Sequence, residues 1–387
     1  MTARTAHPML PVADHDEQAQ QRFVLALKQH VSANVTAGNH AVYNARVLPA
    51  FTKAEGRAPR NRHEVRRWME REPYHQMWGS LMRLGQELMW DYILESVDRQ
   101  LDDLVTLSTP KPGVGGTLRL DPGFEQPRYL ALVDQHGQPG SYYTDTRADD
   151  VRAGAILDQG AAIYHFGKAG GAMVDARGRT LVQHVFDAYP DLEPRRILDL
   201  GCCVGAGTLP LPEFFPQAEV HAIDTGAPIL RYAHARAEHL GRRVHFAQQS
   251  AESLDYPDNH FDLVTSMVVL HETSTAALPR IFAECMRVLR PGGVMVHLEV
   301  PVRYPDMDSL CEQVLRDWQT YYNDEPFWGR VCETDLVAMA VQTGFADAVQ
   351  GYQTQTLDPQ RGATGWPNPP TSRPGHWYIV SARKPKG

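Results

Sequence analysis

Arg196-Ile-Leu-Asp-Leu-Gly-Cys-Cys-Val-Gly-Ala-Gly-Thr-Leu209 decides how the rest of the chain is read. Its first half is an apolar run ending in Asp199, the pattern of a strand buried on both faces. Its second half is a glycine-rich turn opening a helix. Glycine there lets the backbone approach a ligand and adopt positive φ. Such a turn sets a ligand over the carboxyl end of the first strand, at the switch point of an open sheet. Val220–Asp224, Val244–Gln248, Phe261–Met267 and Val294–Val300 follow as further strands with helical segments between them. This alternation predicts an α/β fold: a Rossmann-like, mostly parallel sheet with helices on both faces.

The turn is Asp-x-Gly-x-x-x-Gly, not the Gly-x-Gly-x-x-Gly of pyrophosphate binders. An acid beside the turn suits a cationic ligand, such as a sulfonium or amino group, better than a pyrophosphate. The second strand ends in Asp224, an acid placed to accept both hydroxyls of a ribose. After the third strand, Ala251 and Glu252 are candidates to meet an adenine edge.

With Ile197-Leu-Asp-Leu-Gly-Cys202 as first motif and Leu289-Arg-Pro-Gly-Gly-Val294 before the fifth strand, the chain resembles class I S-adenosylmethionine-dependent methyltransferases. The likeness is to the broad group of ubiquinone/menaquinone-type and natural-product small-molecule enzymes, and it runs from about Leu157 to Lys384. It implies a seven-stranded sheet whose last strand, His376–Arg383, is antiparallel. It also implies S-adenosyl-L-methionine as cofactor, with S-adenosyl-L-homocysteine as product. Carried over by position, Asp199, Gly201 and Gly205 line the methionine end, and Asp224 with Thr225 holds the ribose. Ala251 and Glu252 face the adenine, Met267 and Val268 flank the sulfonium, and Tyr164, His165 and Phe166 close over the cofactor. Cys203 stands where the family usually has glycine. It reads either as a reactive thiol beside the amino-acid arm or as a small packed side chain.

Methyl transfer is an in-line displacement in which the protein mainly aligns nucleophile and methyl group. The catalytic candidates are His271, Glu272 and Glu299. His271 and Glu272 follow the fourth strand on the cofactor's edge of the sheet. His271 reads either as a general base or as a loop-packing side chain. Glu299 ends the fifth strand, to bind a substrate amine or hydrogen-bond a loop. No acid pair or Asn follows Met267 at the spacing that holds magnesium in catechol-type enzymes, so no metal is expected. Asn368-Pro-Pro370 lies too late in the chain to be an amino-methyltransferase motif. The expected reaction is methyl transfer to a small organic molecule with an O, N or C nucleophile. The alternative is a non-methylating use of the cofactor, in which the amino-acid arm cyclises or is transferred and methylthioadenosine is released.

Residues 1–16 read as a disordered leader without the apolar region of a secretion signal. Residues 17–125 read as a mainly helical N-terminal domain, with Phe23, Val24, Leu27 and Val31 at helical spacing. It would cap the substrate or pair the chain into a homodimer. Residues 126–150 read as a linker, with a hairpin of Arg128–Val133 and Ser141–Thr144, and 151–387 as the cofactor-binding domain. Trp366, Tyr321, Tyr322, Phe327 and Trp328 are candidates for an aromatic substrate wall. A net charge of −8 argues against nucleic acid as partner. No apolar run reaches the ~20 residues that span a bilayer, so no membrane partner is expected. Five scattered cysteines suit reduced thiols in the cytoplasm.

Overall fold

The computed structural model describes residues 7–109, 114–167, 175–362, 366–367 and 375–386. Its centre is a sheet of β1 (Thr117–Arg119), β2 (Arg196–Leu200), β3 (Glu219–Asp224), β4 (His245–Gln248), β5 (Phe261–Met267), β6 (Leu289–Glu299), β7 (Ala346–Thr354) and β8 (His376–Arg383). The spatial order is β1-β4-β3-β2-β5-β6-β8-β7. The pairs from β1 to β6 are parallel, and β8 runs antiparallel to both β6 and β7.

Neighbouring residues of β2 feed opposite cores, as strand geometry requires. Ile197 packs with Leu181, Val185 and Leu230 on one face. Leu198 packs with Ile281, Phe282 and Leu336 on the other. All of β5 is buried. Chain order reverses on either side of β2, so the carboxyl ends of β2, β3 and β5 open onto one crevice.

The sheet has eight strands rather than seven. The additional one is β1, which lies within the stretch read as helical and pairs with β4. The helices before it end at Ser108. The expected hairpin does not form. Arg128–Val133 and Ser141–Thr144 are turns around a short 3-10 segment, Gln135–Gly137, in which His136 takes φ +58°. A left-handed residue there turns the chain inward over the crevice instead of pairing two strands.

The leader reading also gives way for residues 7–16, while residues 1–6 lie outside the described ones. Met9 is fully buried and His7 meets Asp158 at 3.0 Å. Burying one such methionine contributes roughly 1.5–3 kcal/mol toward ordering the segment. Asp14 then caps the His15–His30 helix, accepting from the Glu17 amide while Glu17 reaches back to the Asp14 amide.

The Pro73–Arg99 helix packs against His15–His30 on one side and Arg152–Tyr164 on the other. Its Trp90, Ile93 and Val97 share a core with Ile156, Val204, Ile229 and Tyr232. Gly160 makes that approach feasible, because a Cβ there would lie 2.8 Å from Trp90 Cζ3. The N-terminal helices are therefore built onto the sheet domain. Two short helices, Leu310–Arg316 and Trp318–Tyr322, follow β6.

Candidate active site

The crevice at the strand ends is a cavity of about 640 Å³. Tyr164, Phe166, Asp199, Gly201, Cys203, Asp224, Thr225, Ala251, Glu252, Met267, His271 and Glu272 all line it. Gly205 and Glu299 do not. Gly205 packs toward Leu209 and Ala233 with φ +76° and shapes the turn from beneath. Glu299 lies behind His271 and acts through it.

Asp199 is fully buried and accepts the Thr208 hydroxyl at 2.6 Å and the Thr265 hydroxyl at 2.8 Å. Burial pushes its carboxyl up to about 7, against the opposing pull of those two hydroxyls. The turn beyond it runs through Gly201 at φ +65° and Cys203 at φ +53°. A left-handed Cys explains why glycine is the natural occupant of that position, since a Cβ there costs roughly 1–2 kcal/mol. Burial pushes the Cys203 thiol up. It stays neutral, which favours the packed side chain over a reactive thiolate.

Asp224 accepts the Cys203 amide at 2.9 Å and the Gly226 amide at 3.1 Å, one on each carboxylate oxygen. These bonds tie the glycine turn to the end of β3 and fix the carboxylate's orientation in the cavity. Burial raises its carboxyl above the usual range while the backbone amides pull it down. Glu252 is already engaged. It accepts the Tyr129 hydroxyl at 2.8 Å and Arg280 Nε at 2.9 Å, so it braces the mouth of the cavity. Beside it Gln249 places a buried Nε2 that has no hydrogen-bond partner. Such a donor costs free energy unless a ligand acceptor reaches it.

Met267 ends β5 against Gly207, where a Cβ would come 2.6 Å from its sulfur. Val268 follows at φ +57°. A β-branched residue in that region is strained, as happens at functional turns. Its amide donates to the Leu298 carbonyl at 2.7 Å, which holds the strained turn in place.

Beyond Val268 lies a ring of acids and imidazoles. His271 Nδ1 meets Glu299 at 2.6 Å, and its Nε2 lies 3.6 Å from Glu272 and 3.7 Å from Glu325. His136 sits between Glu272, 2.9 Å from Nε2, and Glu325, 2.9 Å from Nδ1. Its carbonyl accepts Gln86 Nε2 and Trp90 Nε1, which anchors the turn to the Pro73–Arg99 helix. Burial lowers the His271 imidazole, but Glu299, then Glu272 and Glu325, outweigh it and raise it to about 9. His136 is raised to about 10 by Glu272 and Glu325 against burial. The surrounding carboxylates thus favour the protonated form of both rings. The Glu299 contact fixes the His271 ring with Nε2 toward Glu272 and Glu325, an orientation compatible with both of its readings.

His136 and Glu325 were not singled out in the sequence. His136-Gly-Gln-Pro-Gly140 carries only a turn signal, and Asn323-Asp-Glu-Pro-Phe-Trp-Gly329 only a helix break. Arg177, which also lines the cavity, was missed because it opens the Ala176–Ala188 helix with no motif of its own. Of the five expected wall aromatics only Trp328 reaches the cavity. Tyr321 lies under Arg66, Tyr322 against Gly79, Phe327 against Tyr129, and Trp366 against His184. Tyr129, Tyr142, Tyr143, Trp318 and Trp377 supply the wall instead. Asn368-Pro-Pro370 lies outside the described residues.

Residues 197–293 match a family model described as a methyltransferase domain. A demethylmenaquinone methyltransferase of Thermus thermophilus is 40% identical over 108 residues, covering 28% of this chain and 48% of that protein. A fatty-acid O-methyltransferase of Mycolicibacterium smegmatis is 32% identical over 124 residues, covering 31% of this chain and 43% of that one. The chain thus spans about half or less of the length of these two relatives. Among solved structures, a putative O-methyltransferase from Nostoc punctiforme aligns over 95% of this chain and 97% of its own, at 14% identity and TM-score 0.45.

Proposed function

We propose that this chain, whose residues 197–293 form a class I S-adenosylmethionine-dependent methyltransferase domain, transfers the methyl group of S-adenosylmethionine to a small organic molecule. The observation that carries the reading is the left-handed Gly201–Cys203 turn, bonded by its Cys203 amide to Asp224 over a cavity of about 640 Å³. When bound, the cofactor supplies a methyl group already activated by its sulfonium.

The protein's part is to hold and to align. Asp224, with both oxygens fixed by backbone amides, takes the ribose hydroxyls, and Thr225 lies beside it. Ala251 and the unpartnered Gln249 amide meet the adenine, a role that passes from Glu252 to Gln249. Asp199 and Gly201 border the methionine arm, and Arg177 is the guanidinium for its carboxylate. Met267 and Val268 flank the sulfur. Tyr164 and Phe166 close the cavity from the far side, and the tyrosine and tryptophan wall excludes water from the displacement.

The curated relatives reported above are methyltransferases by name, and the alternative of a non-methylating enzyme has no support among them. No described helix is long and apolar enough to cross a membrane. All five cysteines are unpaired, which supports a reducing, cytoplasmic setting. The N-terminal helices serve as the cap that seats His136. Their exposed Phe23, Met77 and Leu84 support a homodimer as well, and sedimentation tests it.

The test is incubation with methyl-labelled S-adenosylmethionine and a host small-molecule extract. Label in a new metabolite alongside S-adenosylhomocysteine is the expected result. Methylthioadenosine without a labelled metabolite overturns the reading.

A further inference from the structure

The acid–imidazole ring lies at the end of the cavity beyond Met267, and the cofactor contacts proposed above leave it unused. The donor atoms of His136, Glu272 and Glu325 lie within 4.8 Å of one another. His271 Nε2 faces two of them, at 3.6 and 3.7 Å. Metal–nitrogen and metal–oxygen bonds of about 2.0–2.2 Å put neighbouring ligands roughly 3.0–3.5 Å apart in tetrahedral or octahedral shells. The observed separations of 2.9, 3.6 and 3.7 Å bracket that range.

Two independent features single this ring out from an ordinary buried ion pair. Glu325 is 1% exposed, yet its Oε2 has no hydrogen-bond partner and is the oxygen turned toward His271. Its other oxygen is held by Asn323 Nδ2 at 2.6 Å, which fixes the carboxylate's orientation. His271, in turn, gives Nδ1 to Glu299 at 2.6 Å and keeps Nε2 for the ring. Metal-ligating histidines nearly always give their other ring N–H to an acceptor, and a carboxylate is one of the usual ones.

We propose that His136, Glu272 and Glu325, with His271 as fourth ligand, bind a divalent transition-metal ion. Two imidazoles and two carboxylates suit zinc, iron(II), cobalt or manganese better than calcium or magnesium, which prefer all-oxygen shells. The expectation of no metal rested on the residues just after Met267. Here the donors come from three distant segments, around 136, 271 and 325, which only the fold brings together.

The ion's part in catalysis rests on the methyltransferase reading, while its binding does not. A substrate oxygen binding as a fifth ligand would lose its proton to solvent more readily. The freed electron pair then forms the bond to the methyl carbon. The carbon–sulfur pair returns to sulfur, which leaves as a neutral thioether.

The test uses the tag-free full chain, stripped with a chelator and titrated with Co²⁺ under visible spectroscopy, with Zn²⁺ as competitor. The expected result is one Co²⁺ per chain with d–d bands that Zn²⁺ abolishes. Glu325→Gln loses them, and Glu299→Gln weakens binding about 10- to 100-fold. Circular dichroism and a thermal melt of Glu325→Gln check that the variant is folded. A wild-type chain without bands, or a folded Glu325→Gln that binds Co²⁺ as the wild type does, overturns the site. A stripped chain that still transfers methyl at full rate keeps the proposed function and overturns the ion's catalytic part. A chain that binds Co²⁺ but never transfers methyl supports the site and sinks the function.

Discussion

Replacing Asp224 by Asn tests the cofactor site at its most constrained point. The carboxylate accepts the Cys203 amide at 2.9 Å on one oxygen and the Gly226 amide at 3.1 Å on the other. An Asn offers one oxygen and one NH₂ in the same space. Whichever way it turns, one backbone N–H faces a donor, and one ribose hydroxyl loses its charged acceptor. A hydrogen bond to a charged group contributes about 1.5–3 kcal/mol. Losing one on the ligand side raises Kd roughly 10- to 150-fold. The assay is isothermal titration calorimetry with S-adenosylhomocysteine, and circular dichroism and a thermal melt verify the fold. A Kd within about threefold of the wild type, in a folded variant, refutes Asp224 as the ribose anchor.

Three further outcomes follow from other parts of the structure. Cys203→Gly relieves a left-handed residue at φ +53°. That gain of roughly 1–2 kcal/mol is offset by about 0.5–1 kcal/mol of glycine's extra chain entropy. Turnover stays within twofold and urea stability rises slightly; a tenfold loss of turnover would restore the reactive thiol. Gly178→Ala puts a Cβ 2.0 Å from the Gly207 carbonyl oxygen, a backbone atom that cannot step aside, and destabilises by about 3 kcal/mol in urea unfolding; a neutral result would mean the helix sits further from the glycine turn. His184 is buried against Trp366 with its imidazole lowered to about 3 by desolvation. The unfolded chain therefore takes up this proton first as pH falls below 6.5. Stability from this group is complete above that pH and falls by about 1.4 kcal/mol per unit toward 3. His184→Gln flattens the pH dependence of urea midpoints, and an unchanged slope would show that His184 is not its source.

The strands that carry the cofactor site were legible because they are buried on both faces and read as apolar runs. β2, β5 and β8 form over the residues expected of them. The acids at their ends, Asp199 and Asp224, could be placed because topology puts strand ends at the ligand. β1 was not legible: Thr-Leu-Arg is too short for a periodic signal, and among the described residues it pairs with β4 alone. Arg128–Val133 alternates like a strand, but its Tyr129 points to the cavity mouth and Glu252 rather than to a partner strand. The acid–imidazole ring was half legible. His271 and Glu272 stand in the loop after β5, where position alone made them candidates. His136 and Glu325 sit in turns whose local sequence reports only chain reversal, and tertiary folding gives them their chemistry. Glu252 lines the cavity as its position in the sequence suggested, but its bonds to Arg280 and Tyr129 come from tertiary folding that the local sequence does not report.

The most direct test of this account is a crystal structure of the chain with S-adenosylhomocysteine. The ribose hydroxyls are expected on Asp224 and the adenine beside Ala251 and Gln249. The sulfur is expected at Met267 and Val268, turned toward His136, Glu272 and Glu325. A nucleoside bound away from the ends of β2 and β3, or with its sulfur turned from that ring, would contradict it.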